Sequence, residues 1–399
     1  MSKRSLTWPS GFRVAAVRAG IKAGGTLDLG LIAADELCNA AAVFTTNKVV
    51  APAVVVNRER IRSGRAQAVF VNAGNANACT GARGLRDVHT ICNTVAKRLD
   101  ISPDAVLVCS TGIIGAFLPI TNVREGIGRA ADALSGSARA GSDLAQAIMT
   151  TDTKPKMASC ELNVNRVPVR IAGTAKGSGM IAPNMATMLA FVTTDANISS
   201  AALQRAMTQV TDRTFNKVTI DNHMSTSDTA IVLASGRAGN KRIVTGANYE
   251  RFAEGLWRVC DDLARQMAAD GEGAGCAITI RVMAGRTPAE AHAALRAIAD
   301  SPLVRCAFAG ADPNWGRIVS AVGYSGARFD ETGLSCRIAG VLVFRAGRPA
   351  PFDAKRLSRK MKARQWTVEV NLGAGRFDDF CYTCDLTQEY VSINADYHT

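Results

Sequence analysis

Short apolar runs rich in Val, Ile and Phe alternate along this chain with helical patterns, and this alternation limits the possible folds more than any other feature. The runs predict buried strands; they lie at residues 68–71, 105–109, 189–192, 230–234, 277–282 and 341–344. Between them, Ser199 can cap a helix over 201–210, apolar residues recur at helical spacing over 249–269, and Pro288 can open a helix that runs to 299. The interleaved pattern predicts an α/β or α+β class with a layered core.

The composition indicates an ordered protein. Of 399 residues, 47% are hydrophobic and 20% are charged, which is too apolar for a disordered chain. The basic start lacks a following apolar run, and no segment reaches the roughly 18 uninterrupted apolar residues of a membrane helix. We therefore expect a cytoplasmic, unsecreted protein without a membrane partner.

The eleven cysteines are expected to be reduced and mostly buried, without a metal. Their number is odd, only four histidines accompany them, and no CxxC pairs occur at zinc-finger spacing. Cys381 and Cys384 form a single CxxC, but the alternating pattern FCYTCDL predicts a strand, whereas redox motifs of this kind normally open a helix.

The formal charge of +13 favours anionic partners. Lys and Arg are spread along the chain rather than gathered in blocks, and aromatic residues make up 6%, so nucleic-acid binding has no support. A positive field attracts dicarboxylates such as glutamate equally well.

The most unusual segment is GTAKGSGMIAPNMATMLAFVTTDA, residues 173–196, in which a glycine-rich turn precedes a buried strand. Its Lys176-Gly177-Ser178-Gly179 stretch could cradle a phosphate, but it lacks the GxxxxGK[ST] spacing of a P-loop. Taken alone, Thr187 would be an ordinary strand threonine.

This segment resembles the self-processing signature of the ornithine acetyltransferase (ArgJ) family, with cleavage between Ala186 and Thr187. The resemblance implies that Thr187 attacks the carbonyl of Ala186, that the acyl group shifts from nitrogen to oxygen, and that hydrolysis exposes Thr187 as a new N-terminus. Residues 1–186 would form an α chain and 187–399 a β chain. It also implies a layered α-β-β-α (DmpA/ArgJ-like) fold and an α2β2 assembly.

An N-terminal threonine explains how a site with few histidines could work. A threonine hydroxyl is a weak nucleophile unless a neighbouring group accepts its proton. An α-amino group, with an ordinary pKa of roughly 7.7 to 8.0, can do so near pH 7.

A second match, VCSTGIIG at residues 108–115, resembles the oxyanion segment of the family. It implies that the backbone N–H groups of Thr111 and Gly112 face the developing negative charge. Without the first match, the same residues would be read as a strand that ends in a common turn.

A third set resembles the substrate contacts of the family and lies in MTTDTKPK, the glycine-rich turn, DGEGAG and NADYHT. Besides Thr187 itself, its members are Thr153, Lys176, Glu272, Asn394 and Thr399. A lysine suits a substrate carboxylate and a glutamate suits a substrate amino group. Taken singly, Glu272 would be a solvated loop acid and Asn394 a strand-end cap.

The resemblance extends along nearly the whole chain, including VFTTNKVVAPAV, VNAGNANACTG and DPNWGRI, the last of which we expect to form turns. The chain departs from the family at Gly275 and Cys276, where Thr and Lys are common, and at His223 and Met224, where smaller or acidic residues are usual. These departures concern substrate preference more than mechanism.

The resemblance implies a glutamate N-acetyltransferase that moves acetyl from N2-acetylornithine to glutamate by a ping-pong reaction, with no metal or organic cofactor. Acetyl-CoA is a second acetyl donor for some members of the family. Two alternatives remain at this point. One is a self-cleaving aminopeptidase of related fold, although such relatives favour serine as nucleophile, and the other is a catalytically silent protein that binds anions or RNA.

The proposed contacts at Asn394 and Thr399 generate a first prediction. Deletion of residues 394–399, or a C-terminal tag, should lower acetyl transfer while self-cleavage continues, although chain ends normally tolerate such changes. Acetyl-transfer rates and gel mobility of both forms test this. Full activity of the truncated protein would remove the C-terminus from the site.

Overall fold

Each of the six apolar runs forms a strand, and the strands belong to two sheets in two separate units of the chain. The computed structural model describes residues 4–182 and 188–396. Within these ranges the first unit comprises residues up to 216 together with 223–264, and the second comprises 217–222 and 265–396. The predicted division at residues 186 and 187 is a chemical one and stays a prediction.

The first unit is built on a mixed sheet whose strands are β1 (Phe12–Val17), β2 (Leu29–Phe44), β3 (Arg65–Asn75), β4 (Val106–Ile113), β5 (Lys156–Val164), β6 (Val167–Lys176), β7 (Leu189–Thr194) and β8 (Thr229–Ala234). In the described residues the order is β4-β3-β2-β8-β7-β6-β5, with β1 paired to β2. Pairs β3–β4 and β7–β8 are parallel, whereas β6–β7 is antiparallel. Every residue of β7 and β8 is buried, as expected for strands covered on both faces.

Helices cover both faces of this sheet; they are α1 (Pro52–Arg60), α2 (Gly81–Leu99), α3 (Ile120–Asp132), α4 (Ala138–Ala147), α5 (Ser200–Arg213) and α6 (Ala247–Ala269), the last of which belongs to this unit up to residue 264. Apolar residues of α1, α2 and α3 pack with Leu31 and Phe70 on one face. Leu144 of α4 packs with Val69 and Phe191 on the other. Alternate residues of a strand thus supply two apolar cores.

The second unit holds a sheet with strands β9 (Ala277–Gly285), β10 (Ser335–Ile338), β11 (Val341–Arg345), β12 (Arg348–Pro349), β13 (Gln365–Asn371) and β14 (Phe377–Cys384). Among the described residues its order is β12-β11-β10-β13-β9-β14, and only β13–β9 is parallel. Its helices are α7 (Pro288–Ala299), α8 (Pro302–Ala309), α9 (Trp315–Tyr324), α10 (Ala354–Met361) and α11 (Gln388–Asp396). Ile280 and Val368 of the sheet share a core with Ile298 of α7.

The three predicted helices are present, and their starts follow the expected chemistry. The Ser199 hydroxyl accepts a hydrogen bond from the Ala202 amide (3.3 Å) at the start of α5. Pro288 occupies the first turn of α7, where the Thr287 hydroxyl accepts from the Glu290 amide. The Asn314 side chain of the DPNWGRI motif likewise caps α9, which supports a structural role for that motif.

The cysteines agree with the sequence-based expectation. All eleven lie in the described ranges as free thiols, and eight of them are buried. Cys381 and Cys384 belong to β14, as predicted, and burial raises the pKa of these thiols to about 12 and about 11. Both thiols are therefore protonated near neutral pH, which does not suit a redox pair.

The charge distribution is less even than predicted. Four basic residues of α10 are exposed: Lys355, Arg356, Arg359 and Lys360. They form one local block, while Leu357 and Met361 of the same helix are buried. Within the described ranges, none of the helices has both the length and the apolar composition needed to cross a membrane.

Candidate active site

The predicted oxyanion residues lie at the irregular end of β4. Ala73 and Gly74 of β3 pair with Thr111 and Gly112, and the register shifts at Asn75. Gly112 has a φ of 126°, and a Cβ at this position would lie 2.3 Å from the carbonyl carbon of Gly74. Only glycine fits this backbone, which departs from a regular strand at the position where the resemblance places anion-binding amides.

Lys176, at the end of β6, is brought to the same place. Its side chain is almost fully buried (1% exposed), and its Nζ lies 3.4 Å from the Thr111 hydroxyl oxygen. The structure therefore unites two residues that are 65 positions apart in the sequence. A buried ammonium requires a compensating anion, because desolvation of an isolated charge is costly.

Asp152 supplies that anion. Its Oδ1 accepts hydrogen bonds from the Lys156 ammonium (2.6 Å) and from the Gly177 amide (2.7 Å). Burial acts to raise the pKa of Asp152, but Lys176, Lys156 and these hydrogen bonds outweigh burial and lower the pKa to about 2. Asp152 is therefore ionised throughout the physiological pH range.

This arrangement disfavours the phosphate-loop interpretation of residues 176–179. The Gly177 amide points to the Asp152 carboxylate, whereas a phosphate-cradling loop directs its amides at the ligand. The hydroxyls of Thr151 and Ser178 lie 2.8 Å apart and join the same two loops.

Thr153 follows Asp152 directly and is exposed. The loop that contains Thr153 lies beside the turn after Lys176, because Thr151 contacts Ser178 and Asp152 accepts the Gly177 amide. The structure thus places three predicted residues of the first unit, Thr111, Lys176 and Thr153, in one region.

The half-buried Lys22 belongs to the same charge cluster. Its ammonium donates to the carbonyls of Leu27 (2.9 Å) and Ala147 (3.0 Å). Burial is the largest cause that lowers the pKa of Lys22, to about 8, with Lys176 acting in the same direction and Asp28 and Asp152 opposing. A lysine with such a pKa exchanges its proton near neutral pH.

In the second unit, Glu272 and Asn394 are direct partners. Asn394 Nδ2 donates to Glu272 Oε2 (2.8 Å) and to the Tyr390 carbonyl (2.9 Å). Glu272 is buried, so it is not the solvated loop acid that its sequence position alone suggested. Asn394 lies in α11 rather than at a strand end, which makes the capping interpretation wrong.

The departures from the family pattern have a clear local structure. The amides of Gly275 and Cys276 both donate to Asp385 Oδ1, at 2.9 and 3.1 Å. A Cβ on residue 275 would lie 2.9 Å from Asp385 Oδ2, so this carboxylate would have to shift for a larger residue. His223, the other departure, is exposed in the first unit.

The proposed nucleophile and two further predicted residues lie outside the described residues: Thr187, Ala186 and Thr399. The described chain resumes at Met188, whose amide donates to Asp228 Oδ1 (2.8 Å). Leu189, at the start of β7, pairs with Lys176 and with Thr229. Position 187 is therefore two residues before Leu189, the residue that pairs with Lys176 across the two strands.

Sequence reasoning missed the half-buried Lys22 and three buried carboxyl groups around Lys176: Asp28, Asp152 and Asp228. Asp152 carried a weak signal, because it stands beside Thr153 in a motif that was already singled out. Single acids in loops are usually solvated, so the other positions gave no local sign of burial.

A layered α/β protein with a buried lysine beside an irregular strand end is compatible with an acyl-transfer enzyme, and comparison with known proteins identifies the family. The model described as the ArgJ family matches residues 13–399. The "Arginine biosynthesis bifunctional protein ArgJ" of Symbiobacterium thermophilum is 46% identical over 397 residues, covering 99% of this chain and 98% of the relative. That of Geobacter sulfurreducens is 46% identical over 391 residues, covering 98% and 99%.

A solved structure agrees with these relatives. The crystal structure of the arginine biosynthesis bifunctional protein ArgJ from Bacillus halodurans is 38% identical, with a TM-score of 0.50, and covers 52% of this chain and 98% of that chain. The chain belongs to the ArgJ family. The predicted family, fold class and enzyme class, an acyltransferase of arginine biosynthesis, are confirmed.

The Asp152 cluster generates a prediction about stability. Asp152→Asn removes the negative charge from the buried Lys156–Asp152 ion pair, and the loss of one partner from such a pair costs about 3 to 5 kcal/mol of unfolding free energy. The folded-state pKa of Asp152 lies below its ordinary value of 3.8, so its contribution is present above about pH 4 and is lost as the pH falls towards 2.

Urea unfolding of wild type and Asp152→Asn at several pH values between 7 and 3 measures this difference. The matched control is Asp104→Asn, because the Asp104 side chain is 90% exposed and should contribute little. Equal unfolding free energies of Asp152→Asn and wild type at pH 7 would contradict a stabilising role of Asp152.

Proposed function

We propose that this protein is a glutamate N-acetyltransferase that moves acetyl from N2-acetylornithine to glutamate. Self-cleavage between Ala186 and Thr187 would first release Thr187 as an N-terminal nucleophile. The observation that carries the proposal is membership of the ArgJ family over residues 13–399, since the similar relatives are named as arginine biosynthesis proteins.

The length of the solved relative supports the cleavage step. Residues 187–399 make up about 53% of this chain. The solved Bacillus halodurans chain covers 52% of this chain although 98% of its own length is matched, as expected for one of two fragments. The fragments would remain together and associate as α2β2.

In the proposed reaction the Thr187 hydroxyl attacks the acetyl carbonyl of acetylornithine, and the α-amino group of the same residue takes the hydroxyl proton. The tetrahedral intermediate collapses, the C–N bond breaks, and ornithine leaves with that proton on its amine. Glutamate then attacks the acetyl ester with its amino group, and Thr187 regains its hydroxyl proton.

Thr111 and Gly112 would stabilise the negative oxygen of each intermediate. The close packing of Gly112 against Gly74 supports this role, because fixed amides need no rearrangement when charge develops. Loss of one such donor typically raises the barrier by about 2.7 to 4 kcal/mol. The Lys176 ammonium, 3.4 Å from the Thr111 hydroxyl, adds positive charge to the same region.

The substrate contacts are proposed to be Thr153, Lys176, Thr187, Glu272, Asn394 and Thr399. A lysine ammonium can bind the α-carboxylate shared by acetylornithine and glutamate, and the buried Glu272 carboxylate can bind an amino group. The hydrogen bond from Asn394 holds Glu272 Oε2 and leaves Oε1 for a ligand. No cofactor takes part in this scheme, and we expect the reaction to occur in the cytoplasm.

The similar relatives are named bifunctional, which supports a second activity. We expect purified protein to form acetylglutamate from acetyl-CoA and glutamate, because the same Thr187 ester would form from a thioester donor. Mass spectrometry of the product tests this against the Thr187→Ala variant. Without product, only the recycling of acetyl from acetylornithine would remain.

The self-cleavage itself is tested by intact mass under denaturing conditions. The 42.0 kDa chain should appear as fragments of about 20 and about 22 kDa, since 186 of its 399 residues precede the bond. Thr187→Ala should remain a single chain, because it lacks the attacking hydroxyl. An uncleaved wild-type protein would favour the silent anion-binding alternative, and peptide hydrolysis without acetylornithine turnover would favour an aminopeptidase.

A further inference from the structure

Asp228 is a buried carboxyl group that contacts Met188, the residue after the proposed nucleophile, and the reaction scheme has no role for it. It is 1% exposed and lies directly before β8. Its Oδ1 accepts the Met188 amide hydrogen at 2.8 Å, while its Oδ2 is buried and has no hydrogen-bond partner among the described residues. The Thr229 amide in turn donates to the Met188 carbonyl (3.1 Å), so both polar groups of the Met188 backbone are held by residues 228 and 229.

The surroundings of Asp228 act on its pKa in opposite directions. Lys176, at the end of β6, is the charged group that acts on it, and the hydroxyls of Thr45 and Ser225 lie nearby. The Thr45 hydroxyl is already committed to the Ser225 carbonyl (2.8 Å). Burial is the largest effect and raises the pKa of Asp228 well above its ordinary value, against the opposing effects of Met188, Lys176 and these hydroxyls.

Asp228 and Asp152 thus form a contrasting pair around Lys176. Asp152 accepts hydrogen bonds from an ammonium and two amides and is ionised. Asp228 Oδ1 accepts one amide, and its Oδ2 has no hydrogen-bond partner within the part of the chain that the structure describes. The pKa values of the two carboxyl groups are thus shifted in opposite directions, a pattern that points to different roles.

Met188 links Asp228 to the proposed nucleophile, because it follows Thr187 directly in the chain and donates its amide to Asp228. The Met188 nitrogen is bonded to the carbonyl carbon of Thr187, and the amino nitrogen of Thr187 is three covalent bonds away from it. An ionised carboxylate next to that amine would favour the ammonium form, which cannot accept the hydroxyl proton. A neutral carboxyl fixes the Met188 amide without this effect.

We propose that Asp228 is a positioning residue for Thr187: it holds the Met188 amide and so fixes the start of β7, the strand that the proposed nucleophile precedes by two residues. This inference rests on the proposed function. It adds a residue that acts through the backbone of its neighbour rather than by contact with the substrate.

The test compares three substitutions of Asp228. Asp228→Asn keeps an acceptor for the Met188 amide and resembles the neutral acid, so self-cleavage and kcat should stay within about threefold of wild type, with the same pH profile of kcat. Asp228→Ala removes the acceptor, and self-cleavage and kcat should fall at least about tenfold while KM for glutamate changes less than about twofold. Asp228→Leu, which fills the space without an acceptor, should behave like Ala and replaces it if Ala does not fold.

Asp195 provides a matched control at the opposite end of β7. It is also a buried aspartate, and its carboxylate accepts the amides of Arg170 (2.8 Å) and Ser10 (3.4 Å). Asp195→Ala should lower the melting temperature but leave self-cleavage and kcat within about threefold of wild type. Melting curves of all variants separate loss of stability from loss of positioning.

Several results would overturn the inference. Wild-type rates in both Asp228→Ala and Asp228→Leu would show that the Met188 contact is dispensable. If Asp228→Asn lost as much activity as Asp228→Ala, the ionised form of Asp228 would be needed. If Asp195→Ala lost as much activity as Asp228→Ala, the loss would reflect general destabilisation. These outcomes leave cleavage of wild type intact, whereas failure of the proposed function would appear as an uncleaved wild-type chain.

Discussion

The buried ammonium of Lys176 is the constraint on which the rest of the candidate site depends. An uncompensated charge at 1% exposure would destabilise the fold, so the surrounding chain must supply anions and acceptors. Asp152 does so while it also fixes the turn after β6 through the Gly177 amide. The same carboxylate therefore supplies a negative charge near the lysine and fixes the Gly177 backbone, which precedes the proposed cleavage bond in the sequence.

Electrostatic balance also explains why several charged groups are clustered here. Lys22, Lys156 and Lys176 share the region with Asp28 and Asp152, and their mutual effects shift pKa values in opposite directions. The pKa of Asp228 is raised in the same region, because its burial outweighs the opposing effects of one amide, a nearby lysine and two hydroxyls. A site that must bind carboxylates and also keep an amine unprotonated needs both kinds of group.

The sequence predicts the elements well because local chemistry determines them. The runs that form β7 and β8 are apolar throughout, and α5 and α7 begin at Ser and Pro residues with strong preferences for helix starts. Family resemblance singled out Thr111 and Lys176, which the structure brings together, while their roles stay predictions. Asp152 and Asp228 escaped because their burial depends on strands far away in the sequence. The strand-end position that Asn394 suggested when taken alone is wrong, since Asn394 lies in a helix that carries no clear start signal.

The order of the first sheet has a consequence for a cleaved protein. Strands β7 and β8 would belong to the second fragment, yet they lie between β2 and β6, which would belong to the first. Backbone hydrogen bonds would thus join the fragments along both edges of the β7–β8 pair. Cleavage would turn a hairpin connection into an association between two polypeptides. Once unfolded, the fragments would have to find each other again, so refolding would be second order and would slow on dilution.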